Sequence, residues 1–296
     1  MTFPTESLTR ETKKIIVTAQ KNETSEHIIY NKLASRMHDA YNKEILESIA
    51  AQEFEHYNFW KKYTNEEFKP STWKIWKYYL ISIIFGLTFG LKLMENGEGN
   101  SQKTYTKLSS IIPGIEFMIQ QEEGHEQHLI GLIKEDKLLY IGAMILGLND
   151  ALVELTGALA GFTFALQNPR LVIITGLITG VAAALSMACS EYFAAKSEGG
   201  EKKPVKSGFY TGAAYFITVI LLIAPYIFIQ NYLISLTSTL IIAILIIYIF
   251  NYYIAVVRGL NFRKRFLEMA LVSLAIAVLS FGIGLLLNLF IGFQST

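Results

Sequence analysis

Cysteine is almost absent. The single Cys189 rules out an intramolecular disulfide and, within one chain, a CxxC-type zinc or rubredoxin centre. Charge of either sign is also scarce, 17% of residues against 52% hydrophobic, and a formal net charge of +1 leaves no electrostatic case for nucleic acid as a partner. The first twenty residues, MTFPTESLTRETKKIIVTAQ, lack the apolar core of a signal peptide, so the N-terminal part is expected to stay in the cytoplasm. What charge there is lies mostly before about position 137; beyond it Ile, Leu, Ala, Gly and aromatics predominate, broken by short polar connectors. The pattern predicts an all-α chain of two domains, a polar one over 1–136 and a membrane one over 137–296.

A spanning helix needs ~20 mostly apolar residues to cross a hydrocarbon core of ~30 Å. Five stretches after the polar domain qualify: roughly 139–166, 171–195, 208–229, 233–257 and 266–291. Basic connectors set their orientation, because positively charged loops stay cytoplasmic. Lys196, Lys202, Lys203 and Lys206 separate the second and third stretches, and Arg258, Arg263, Lys264 and Arg265 the fourth and fifth. The QNPR turn (167–170), the QNYL turn (230–233) and the C-terminus are then expected outside, with the N-terminal domain in the cytoplasm. Gly157 with Gly161, and Gly176 with Gly180, read as sites of close helix packing.

Before the membrane the pattern predicts four helices, about 8–40, 42–64, 72–98 and 103–135, punctuated by Pro70 and by NGEGN at 96–100. The third is unusual, because IWKYYLISIIFGLTFGLKLM (75–94) is apolar enough to be a sixth span. It is expected instead as a bundle helix whose outer face touches lipid or a partner subunit.

Two Glu-x-x-His pairs stand out, Glu53 with His56 and Glu122 with His125, on separate predicted helices. Residues three apart share a helix face, so each pair offers one oxygen and one nitrogen to a metal. Two such motifs with single glutamates from the other two helices characterise a carboxylate-bridged di-iron centre in a four-helix bundle. Those glutamates are present: Glu23 lies seven residues before Tyr30, and the third predicted helix ends with Glu95 and Glu98. In this order of motifs, over roughly 8–135, the chain resembles the rubrerythrin and ferritin-like di-iron family. The resemblance implies iron ligation by Glu23, Glu53, His56, Glu95, Glu98, Glu122 and His125, with Glu26 and His27 as alternates on the first helix. His38 and His128 fall outside the pattern and are expected to be exposed. Without rubredoxin-type cysteines the usual electron donor for peroxide reduction is missing, which leaves binding and oxidation of ferrous iron.

The first two membrane stretches contain LGLNDALVELTGALAG and SMACSEYFAAKSE. Each acid within a membrane helix costs ~2.5 to 3.5 kcal/mol on insertion scales, so Asp150, Glu154 and Glu191 need a use or a hydrated refuge. Met187, one turn before Glu191, adds a soft thioether suited to Fe2+ rather than Mg2+ or Ca2+; Cys189 points elsewhere and reads as a small packing residue. Over about 138–292 these features resemble the vacuolar iron transporter family, a five-span fold working as a dimer. Gly147 to Asp150 match its Gly-x-Asn-Asp-like opening, and Ser186 to Tyr192 its Ser-Met-x-x-x-Glu-Tyr segment. Its plant-type members carry a long acidic insert between spans two and three, whereas SEGGEKKPVKSG (197–208) is short and basic. A subgroup of membrane-bound ferritin-like proteins fused to this transporter has the same order of parts.

The expectation is therefore a homodimeric multi-pass protein of the cell membrane that exports Fe2+ or Mn2+ from the cytoplasm in exchange for protons. Asp150, Glu154, Met187 and Glu191 would line the path, and a di-iron bundle would capture the metal. The alternative is a membrane-anchored ferroxidase or peroxide-scavenging di-iron enzyme.

Overall fold

The computed structural model describes residues 9–109, 111–120, 136–199 and 202–291. Their regular structure is wholly helical, with no strand among the described residues, in agreement with the all-α class. The chain divides into two compact units, Met1–Glu135 and Asp136–Thr296.

The first unit begins with α1 (Arg10–Ala34) and α2 (Ala40–Thr64), joined by a short turn. Side-chain oxygens start both helices: Thr9 accepts from the Thr12 amide and Asp39 from the Asn42 amide. Each such cap is worth ~1 kcal/mol. The two helices run antiparallel, since Gln20 meets Thr64, Glu23 lies beside His56, and His27 bonds the carbonyl of Ala50. Burial recurs every three or four residues on both, through Ile16, Ala19, Glu23, Glu26, Tyr30 and Leu33 on α1 and through Leu46, Ile49, Glu53, His56, Trp60 and Tyr63 on α2. Polar residues thus occupy core positions of an ordinary amphipathic pattern.

The apolar stretch 75–94 does not form one rod. It divides into α3 (Thr72–Phe85) and α4 (Leu87–Leu108), which meet at Gly86 with φ 107° and ψ 151°, a conformation essentially restricted to glycine. The chain folds back there so closely that a Cβ on Gly90 would strike Ser82. The expected helices over 72–98 and 103–135 are therefore corrected: the break falls at Gly86, and α4 continues through the NGEGN segment. Glycine in a helix interior costs only ~1 kcal/mol each, which tertiary contacts offset. A second interruption comes after α4, where Pro113 and Gly114 (φ 84°) precede α5 (Ile115–Gln120). Replacing Gly86 by alanine is expected to cost ~1 to 3 kcal/mol and lower the melting temperature of the purified chain by several degrees; unchanged melting would contradict this account of the break.

The second unit contains five helices of membrane-crossing length: α6 (Ile141–Leu166), α7 (Pro169–Glu198), α8 (Pro204–Phe228), α9 (Tyr232–Arg258) and α10 (Phe262–Ile291). They correspond to the five apolar stretches of the sequence. Asn168 and Asn231 restart the chain after the two short turns, each accepting from backbone amides that follow it. Helices α6 and α8 are the most enclosed. The first half of α6 lies along α8, its second half along α10, and α8 also packs the length of α7.

Gly147 permits the closest of these approaches, because any Cβ there would strike the carbonyl of Thr211 on α8. Gly157 and Gly161 meet α10, while Gly180 meets Val219, in keeping with close packing. Within α6, residues Ala151–Leu155 form a π-helical turn. Such single-turn bulges are rare and frequent at functional sites.

Candidate metal sites

Glu23, Glu53 and His56 come together inside the first unit. One ligand atom from each lies within 4.8 Å of the others, and none of the three residues is more than 5% exposed. His56 Nδ1 is 3.9 Å from Glu23 Oε2 and 3.9 Å from Glu53 Oε2. Apolar clusters close the group at both levels of the α1/α2 pair. Ile29, Leu33, Leu46 and Ile49 lie on one side, and Ile16, Trp60, Tyr63 and Leu108 on the other.

The two oxygens of Glu23 have different surroundings. Trp60 Nε1–H and the Tyr105 hydroxyl both donate to Oε1 at 3.3 Å, while Oε2 faces His56. Donors of this kind orient a ligating carboxylate and leave its other oxygen for the metal. Two carboxylates and an imidazole held away from water suit a divalent transition metal, whose charge offsets the cost of burying the acids.

The remaining bundle residues are placed differently. Glu26 is buried and pairs with Lys74 of α3, and His27 bonds the Ala50 carbonyl at 2.7 Å. The register that stayed open in the sequence is thus occupied by Glu23 opposite Glu53 and His56. Glu95 accepts from the Tyr30 hydroxyl at 3.0 Å and is not among the three clustered residues. His38 is exposed, as expected. Glu122, His125, His128 and the Glu98 side chain lie outside the described residues.

In the second unit Asp150 immediately precedes the π-helical turn and Glu154 lies within it, four residues on. Glu154 lies mid-span, with 141–153 before it and 155–166 after it. It accepts from the hydroxyl of Tyr215 at 3.0 Å, yet is itself exposed on the outer surface of the single chain. Glu191 of α7 accepts from Ser207 at 2.6 Å. Met187 is half-buried and packs against the apolar cluster of this unit, while Cys189 is exposed rather than packed inside.

Sequence reasoning missed the side chains of α8 that hold these acids. Ser207, Thr211 and Tyr215 recur every four residues, are each 0% exposed, and bond in turn to Glu191, the Ala143 carbonyl and Glu154. The i, i+4, i+8 spacing was the available signal. Ser207 and Tyr215 are eight residues apart, roughly 12 Å along the axis, so the acids stand at two levels. Glu191 is at the level where α8 begins, beside the lysine-rich connector, and Glu154 is deeper.

Residues 141–200, which cover α6 and α7, match the VIT family. With five helices long and apolar enough to cross a bilayer, the match supports a multi-pass membrane domain of vacuolar iron transporter type, and with it metal-ion transport. No curated protein matches the chain with significance.

Proposed function

We propose that this protein exports Fe2+, or Mn2+, from the cytoplasm in exchange for protons, and that its first unit is a cytoplasmic ferritin-like domain that captures the metal. The observation that carries the reading is Glu154, held by Tyr215 at a π-helical turn in the middle of a span, with Asp150 four residues before it. Acids at this depth are costly unless they serve a cation or proton pathway. From the lysine-rich connector inward a metal ion meets Glu191, then Asp150 and, deepest, Glu154, with Met187 available one turn from Glu191. Two neighbouring carboxylates in a poorly hydrated span favour holding a proton until a cation displaces it, and that exchange would couple metal to proton movement.

Exposure of Glu154 on the single chain supports a dimer. An acid directed into lipid at mid-span is unfavourable, so a second copy facing it across a hydrated path is the arrangement that removes the cost. The lysine and arginine connectors support an orientation with the first unit on the cytoplasmic side.

Glu23, Glu53 and His56 would hold iron in the first unit, together with Glu95, Glu98, Glu122 and His125 if the ferritin-like pattern is complete. Iron bound there supplies one-electron ferrous to ferric chemistry. The chain's own contribution is to exclude water with the flanking apolar clusters and to fix Glu23 through Trp60 and Tyr105. This buried group also favours a second reading, a membrane-anchored ferroxidase.

Proteoliposomes separate the two. Purified protein is expected to move Fe2+ across the vesicle membrane, faster when the compartment receiving the metal is the more acidic and with protons crossing the other way. Metal flux indifferent to the proton gradient would remove the coupling. No flux, with Fe2+ oxidation retained, would replace transport by the anchored-enzyme reading.

A further inference from the structure

We infer that α3 of the first unit lies flat in the surface of a phospholipid bilayer, with anionic headgroups against its lysines. Fourteen residues reach about 21 Å, short of the ~30 Å needed to span. The Gly86 break also splits the apolar stretch into two different surfaces. Leu87, Phe89, Leu91 and Met94 of α4 are buried in the first unit, whereas Trp73, Trp76, Leu80, Ile83 and Ile84 of α3 are exposed. At 3.6 residues per turn these five occupy an arc of about 100°, opposite the buried Ile75 and Ser82.

Cations flank the arc on both sides. Lys77 lies over the Trp73 and Tyr78 rings on one, and on the other Lys32 of α1 lies 3.5 Å from the centre of the Trp76 ring, with Arg36 bonded to the Tyr79 hydroxyl. Helix α3 contains no acidic residue. Exposed tryptophans beside lysines match the polar–apolar boundary of a membrane, where the ring sits at headgroup level and the ammonium meets phosphate. A second copy of the same face would set lysines against lysines, so charge favours lipid. Five spans in the same chain keep a bilayer within reach.

The tryptophans provide the test. The chain has three: Trp60, 0% exposed in the first unit, and Trp73 and Trp76, 74% and 49% exposed on α3. None lies in the five spans, so the membrane domain contributes no background. The full chain is reconstituted in phosphatidylcholine–phosphatidylglycerol vesicles, with or without phosphatidylcholine brominated near the headgroup end of its acyl chains. Tryptophan emission of the parent is expected to fall roughly twofold in the brominated vesicles, and this loss should vanish in the Trp73→Phe, Trp76→Phe double variant, which keeps Trp60. Emission untouched by bromine but quenched by aqueous acrylamide would overturn the inference by placing α3 in water. Shielding from both quenchers would overturn it in favour of a protein cover. Either result is independent of metal transport.

Discussion

Glu154→Gln is expected to reduce Fe2+ flux in proteoliposomes by at least ~10-fold, the loss that follows removal of a charged group from a metal's surroundings. The amide keeps the size of the side chain and an oxygen that can accept from Tyr215, so the π-helical turn and its contact with α8 are preserved. What it loses is the negative charge and the ability to take up a proton. Because an acid in a span costs ~2.5 to 3.5 kcal/mol, the variant should melt no lower than the parent. Loss of flux with unchanged or raised stability therefore identifies a functional charge. Tyr215→Phe is the companion measurement: it keeps the acid and removes one hydrogen bond to it, so flux should fall by less than in Glu154→Gln. Parental flux in Glu154→Gln would remove this carboxylate from the path.

The second large effect concerns the first unit. Ferrous iron under anaerobic conditions, at about 100 times its dissociation constant, is expected to stabilise the protein by ~2.7 kcal/mol through simple linkage. In Glu53→Gln that increment should disappear, together with the iron retained on purification. Glutamine fills nearly the same volume between His56 and the flanking apolar clusters, and it removes one of two buried like charges. Metal-free melting should thus stay at the parental value or rise, which distinguishes a lost ligand from a damaged core. A parent that retains no iron and gains no stability from it would refute metal binding by Glu23, Glu53 and His56, while leaving the transport measurements unaffected.

Several features of the site were legible in the linear pattern. Glu53 and His56 share a face by spacing alone, and the burial period of α2 carries straight through them. The choice between Glu23 and Glu26 was not legible, because the two are three residues apart and both fall on the buried side of α1. Antiparallel packing of α2 brings His56 level with Glu23, and Lys74 of α3 takes Glu26. The orienting donors Trp60 and Tyr105 are 37 and 82 positions from Glu23, separations at which no local rule pairs them. In the second unit the acids were visible as charges in apolar runs, but the hydroxyls that hold them were not, since Ser and Thr are unremarkable in a membrane helix.

The break at Gly86 shows the same limit from the other direction. NGEGN holds two glycines within five residues and reads as the stronger interruption, yet a helix continues through it, while one glycine amid Ile, Phe and Leu turns the chain. Glycine permits an unusual backbone angle without requiring it; contact between Ser82 and the start of α4 selects where it is used.

By itself the sequence determined the all-helical class and the five membrane-length segments, because apolar length measured against bilayer thickness and helical periodicity are properties of short, contiguous stretches. Tertiary structure alone decided which carboxylate faces His56, which hydroxyls of α8 hold Glu191 and Glu154, and which half of an unbroken apolar run is buried. Those outcomes depend on how separate helices align, and that alignment comes from packing across distances no short stretch of chain encodes.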